Sequence, residues 1–124
     1  MSESNRLKPN KILVVDDEPA NIELIREIVH ETHEVIEATN GEDGIRLADE
    51  CRPDLIVLDI CMPDIDGYEV CRTLKSQPKT SDIPILVVSA LSKVDAKLMA
   101  YNTGCDDYLY KPFNIKEFRA KLGS

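Results

Sequence analysis

The chain has 124 residues, room for one hydrophobic core and too little for two ordinary domains. It is 43% hydrophobic and 31% charged, which excludes a disordered or fibrous chain. Lys and Arg number 15 against 23 Asp and Glu, a net charge of −8 that argues against direct binding of nucleic acid or an acidic membrane.

Residues 1–10 read as a polar tail without the apolar centre of a secretion signal. No apolar run approaches the length of a membrane span, so a cytoplasmic domain is expected over residues 11–122. Ile12 to Val15 form the first short apolar run, followed by Ile22, Ile25, Ile28 and Val29 at helical spacing. Val35 and Ile36 mark a weaker strand, and Ile45, Ala48 and Cys51 a second helix. Leu55 to Leu58 form a buried strand, after which Val70 and Leu74 recur at helical spacing. Ile85 to Val88 give a fourth strand, with Val94, Leu98 and Tyr101 on the helix that follows. Tyr108 to Tyr110 and a short helix from Ile115 to Leu122 complete five strand–helix units.

Continuous apolar runs suit strands covered on both faces. The expected architecture is therefore α/β, a five-stranded parallel sheet with helices on both sides. Helix starts carry Pro19, Ser92 with Asp95, and Asn114 with Glu117. The four cysteines, Cys51, Cys61, Cys71 and Cys105, form no C-x-x-C pair, and a chain of this length needs no disulfide framework. His30 and His33 sit three apart near a helix end with no third ligand nearby, and read as surface histidines.

Ligands of open parallel sheets bind beyond the carboxyl ends of the strands. Strand one ends in Asp16-Asp17, strand three in Asp59, strand four in Ser89 and strand five in Lys111. An Asp after a strand is ordinarily a turn former, and a Lys before Pro a solvated charge. Five such residues at one sheet edge point elsewhere. Three carboxylates close together repel unless a cation joins them, and hard oxygen ligands with open positions suit Mg²⁺.

The motifs Val15-Asp16-Asp17, Leu58-Asp59 with Met62-Pro63 and Gly67, Ser89-Ala90, and Lys111-Pro112-Phe113 are those of a known family. Over residues 10–122 the chain resembles the receiver domain of two-component response regulators. The resemblance implies a single flavodoxin-like domain with strand order 2-1-3-4-5. It implies Asp59 as phosphoacceptor, and Asp16, Asp17, Asp59 and the Cys61 backbone carbonyl as holders of Mg²⁺. Lys111 would pair with a phosphoryl oxygen and Ser89 would hydrogen-bond another. Ser89 and Tyr108 would form the switch, with Tyr108 turning inward as Ser89 moves. A cis bond is expected before Pro112, and Gly67 is expected to supply a backbone conformation that a side chain disfavours.

Two positions depart from the family's commonest patterns: Cys61, two after Asp59, and Leu91, two after Ser89, where the resemblance implies side chains that border the path of attacking water and set the lifetime of the acyl phosphate. Cys61 reads as an inert small residue rather than a redox group.

The function implied is a phosphorelay switch, not an enzyme with turnover of its own beyond Mg²⁺-dependent self-phosphorylation and autodephosphorylation. Its partners would be a histidine kinase or histidine phosphotransfer protein, and a downstream effector in the same chain or another. The signalling surface would comprise helix four, strand five and helix five, with a phosphorylation-dependent homodimer compatible with it. The alternative is a constitutive interaction module of the same fold without switching. An aspartate-nucleophile phosphatase wants an acid where Cys61 stands. A flavin protein would not place Asp16-Asp17 against the flavin phosphate, and no G-x-x-x-x-G-K-[ST] loop is present. Residues 67–86 look similar to receivers of diguanylate cyclases and hybrid kinases. The short last helix and Gly123-Ser124 fit a receiver taken from a longer regulator.

Overall fold

The computed structural model describes residues 10–90 and 94–122, with all their side chains but that of Asp95. Strands β1 (Asn10–Val15), β2 (His33–Ala38), β3 (Leu55–Asp59), β4 (Ile85–Ser89) and β5 (Asp107–Tyr110) alternate with five helices. The helices are α1 (Pro19–Val29), α2 (Gly41–Cys51), α3 (Gly67–Ser76), α4 (Val94–Asn102) and α5 (Ile115–Leu122). Strand β1 begins at Asn10, one residue before the expected start of the domain.

All four strand pairings are parallel, in the order β2-β1-β3-β4-β5 expected from the resemblance. Alternation along each central strand divides the core in two, because successive side chains leave a strand on opposite faces. Leu13, Val15, Ile56, Leu58 and Val87 join α2, α3 and α4 residues such as Ala48, Val70, Leu74 and Ala100. Ile12, Val14, Val57, Leu86 and Val88 join Ile22, Ile25 and Val29 of α1 and Phe118 of α5 on the other face. Burying a side chain the size of Phe118 contributes about 1.5–3 kcal/mol, and Phe118 is fully buried.

The helix starts use the chemistry read from the sequence. Pro19 opens α1, and Asn114 and Glu117 bond each other's backbone N–H reciprocally at 2.8 and 3.1 Å at the start of α5. The Ser92–Asp95 start and Leu91 lie outside the described residues. His30 caps the end of α1, whereas His33 opens β2, so the two histidines do not share a helix.

Two further readings need correction. Gly67 does not have a positive φ; the positive-φ glycine of the described residues is Gly104. Gly67 is required by space, since a Cβ there would lie 2.5 Å from Ile60 Cα and 2.6 Å from the Asp59 carbonyl oxygen. On α4, the apolar residues that signalled a helix face outward: Val94 is 70% exposed and Leu98 54%.

Candidate functional site

Strand register builds the site. Val15 pairs with Leu58, Asp59 with Val88, and Ser89 with Tyr110. Asp16 therefore follows β1 level with Asp59 at the end of β3, and Lys111 follows β5 one step beyond Ser89. All of them meet at the carboxyl edge of the sheet, as expected of an open parallel sheet.

Asp16 and Asp59 are buried and Asp17 is exposed. One carboxylate oxygen from each lies within 4.8 Å of the others. The Lys111 ammonium reaches both buried acids, at 3.2 Å from Asp16 Oδ2 and 3.3 Å from Asp59 Oδ2. Asp16 Oδ1 accepts the Glu18 N–H at 2.9 Å, which orients its carboxylate, and Asp59 Oδ1 accepts the Cys61 N–H at 3.3 Å.

The electrostatics reflect a crowded acidic site. Burial raises the Asp59 carboxyl above its ordinary range and the Asp16 charge adds to this, while Lys111 pulls the other way. Burial alone would lower the Lys111 ammonium, but Asp59 and Asp16 outweigh it and hold it raised. Three carboxylates against one ammonium leave surplus negative charge. Together with the convergence of three hard oxygen donors, this fits a divalent cation such as Mg²⁺. Cys61 is exposed as a residue, but partial desolvation of its thiol, together with the neighbouring Asp59 charge, raises it, so the reactive thiolate is disfavoured.

Ser89 is fully buried at the end of β4. Tyr108 is 4% exposed, its ring edge against Tyr110 at a centroid distance of 5.2 Å. Burial raises the Tyr108 hydroxyl, and a hydrogen bond with Ser89 opposes this. The Tyr108 ring, expected to turn inward as Ser89 moves, already lies inward here, hydrogen-bonded to Ser89. The Lys111–Pro112 bond is cis.

A cleft of about 270 Å³ opens beside the acids, lined by Leu24, Ile25, Val88, Pro112 and Phe113 among others. Two residues that the sequence reading passed over tie the segment after Asp59 to other elements. Tyr68, beside Gly67, donates its hydroxyl proton to the Ala96 carbonyl of α4 at 3.1 Å. Asp64 accepts the Gly41 and Glu42 N–H groups of α2 at 2.9 and 3.0 Å. Their partners lie 22 to 28 residues away, so no local spacing announces them.

Residues 12–123 match the response regulator receiver domain family. The DNA-binding dual master transcriptional regulator RpaA of Synechocystis sp. is 38% identical over 113 residues, 90% of this chain and 47% of its own length. Histidine kinase P4 of Formosa agariphila is 35% identical over 111 residues, 90% of this chain and 8% of its own length. The chain thus spans about half of the first of these relatives and a small part of the second. The crystal structure of a Chloroflexus aurantiacus protein assigned as a response regulator superposes with a TM-score of 0.88 at 32% identity, covering 93% of this chain and 95% of that one. No helix among the described residues is long and apolar enough to cross a membrane. Fold, site architecture and family match agree, and the chain belongs to the response regulator receiver domains of two-component signalling systems.

Proposed function

We propose that this receiver domain accepts a phosphoryl group on Asp59 from a phosphohistidine, on a histidine kinase or a histidine phosphotransfer protein, and relays the change to its α4–β5–α5 surface. The observation that carries the reading is one ammonium bridging two buried carboxylates, with a third carboxylate within cation-sharing distance. Burying Asp59 beside Asp16 works against the fold, and such costs are retained where chemistry needs them.

In the step itself, a carboxylate oxygen of Asp59 forms a bond to phosphorus as the bond from phosphorus to the donor imidazole nitrogen breaks. The electron pair of that bond leaves with the imidazole. Lys111 stands beside Asp59 and offsets charge on the phosphoryl oxygens as they crowd the acids. Asp16, Asp17, Asp59 and the Cys61 carbonyl would hold Mg²⁺, which when bound supplies further positive charge to those oxygens. Water later cleaves the acyl phosphate and restores Asp59, so the domain carries a signal and turns over no separate substrate.

Ser89 has one hydroxyl proton to give. Donated to a phosphoryl oxygen, it leaves the Ser89 oxygen only as an acceptor for the Tyr108 hydroxyl, so the hydrogen bond between them is re-formed in a new geometry. Tyr108 lies on β5 with its ring against Tyr110, and it shares a buried cluster with Ala100 of α4, the helix that exposes Leu98 and Met99. A change at its hydroxyl thus reaches a partly apolar surface suited to an effector or to a second phosphorylated copy. The relatives are a transcriptional regulator and a histidine kinase by name, so the same domain serves different outputs, and the effector is set by what the receiver is joined to or meets.

The test is incubation with acetyl phosphate and Mg²⁺, followed by intact mass. One added phosphoryl group is expected on the wild type, with none on Asp59→Asn and none after chelation. Equal labelling of Asp59→Asn would overturn the assignment.

A further inference from the structure

We infer that Asp64 is a positioning residue: it pins the loop between β3 and α3 to the start of α2, and so fixes the Cys61 backbone carbonyl for the metal. This rests on the metal reading above. Asp64 Oδ1 accepts the Gly41 N–H at 2.9 Å and Oδ2 the Glu42 N–H at 3.0 Å. First-turn N–H groups have no partner within their own helix, and these two are satisfied from a loop more than twenty residues away. Both bonds draw the Asp64 carboxyl below its ordinary range, so the acceptor is a carboxylate at neutral pH.

Helix α2 already carries its own cap, with Asn40 Oδ1 accepting the Asp43 N–H at 2.8 Å. The Asp64 contact therefore joins two elements rather than merely finishing one. The two elements are in close touch: a Cβ on Gly41 would lie 3.0 Å from Ile65 Cγ1 and 3.2 Å from the Ile65 carbonyl oxygen. The loop is held at its base by the Gly67 N–H on the Ile60 carbonyl at 2.7 Å, and at its start by the Cys61 N–H on Asp59. Asp64 anchors its middle to a neighbouring helix, α2. Without that anchor, residues 61–65 are free to shift relative to Asp16 and Asp59, and the carbonyl that completes the oxygen set shifts with them.

The experiment compares the full chain with Asp64→Ala, Asp64→Asn and Asn40→Ala. Mg²⁺ affinity is read by calorimetry, loop amides by hydrogen exchange without metal, and folding by circular dichroism. Asp64→Ala is expected to weaken Mg²⁺ binding about tenfold, as loss of an outer support around a metal ligand does, and to speed exchange at Cys61 and Met62. Asn40→Ala removes the helix's own cap but not the loop contact, and should leave both readings at wild-type values. Asp64→Asn, which keeps an acceptor oxygen, should fall between. Wild-type affinity in Asp64→Ala, or equal weakening in Asn40→Ala, would overturn the inference. A wild-type chain taking up no Mg²⁺ at all would instead overturn the metal reading beneath it.

Discussion

Asp59 and Lys111 have opposite consequences for stability. Asp59 titrates above its ordinary 3.8 because burial, with Asp16 beside it, disfavours the charged form more than Lys111 favours it. The native state therefore holds this proton more tightly than the unfolded chain, and stability falls as pH rises from 3.8 through the raised value. Asp59→Asn should remove that penalty. In metal-free buffer at neutral pH its melting temperature should rise by a few degrees, given roughly 4 °C per kcal/mol for a domain of this size. The gain should fade below about pH 4, where the wild-type carboxyl is protonated in both states. A melting temperature below wild type at neutral pH would contradict this. Lys111, raised by the same acids, contributes stability that is complete below its ordinary 10.5 and is lost only as pH climbs through its higher native value. Lys111→Met should strand two buried carboxylates and cost about 3–5 kcal/mol by urea denaturation. In the Asp59→Asn background it should cost measurably less, since one of the two acids is then neutral.

At the scale of elements, β1, β3 and β4 were legible because a strand covered on both faces reads as a continuous apolar run. Asp16, Asp59 and Ser89 were legible for a related reason: each directly follows such a run, while Lys111 follows the short, mixed β5, and parallel order brings those ends together. Helix α4 shows where the pattern misleads. Its apolar residues Val94, Leu98 and Met99 are half or more exposed, so they mark the outer face rather than the packed one. Gly67 was legible as a special position, but its cause, the approach of Ile60 and Asp59, exists only after folding. Asp64 and Tyr68 left no local signature because each acts across elements. Helix α4 is also where coupling should be read. Ser89→Ala should still allow phosphorylation of Asp59, yet NMR shifts at Tyr101, Tyr108 and Phe118 on phosphorylation should shrink. A response as full as wild type would remove Ser89 from the path between the site and α4–β5–α5.

For the whole molecule, net charge and topology assign different tasks to different faces. A chain of net charge −8 gathers three of its acids at one sheet edge, where they suit a cation and a phosphoryl group and not a nucleic acid. The exposed apolar residues Val94, Leu98, Met99 and Ile115 lie on α4 and α5, the helices bordering β5 in sequence. On the function proposed above, the energy that phosphorylation passes between these two regions is bounded by the difference in how well two conformations hold the phosphoryl group, typically about 1–3 kcal/mol. Everything beyond that depends on Asp59 being the residue modified. Borohydride reduction converts an aspartyl phosphate to homoserine and leaves free carboxylates untouched, so peptide sequencing by tandem mass spectrometry after phosphorylation and reduction locates the acceptor. Homoserine at position 59 alone is the expected result; homoserine at Asp16, Asp17, Asp64 or Asp66, with Asp59 intact, would contradict it.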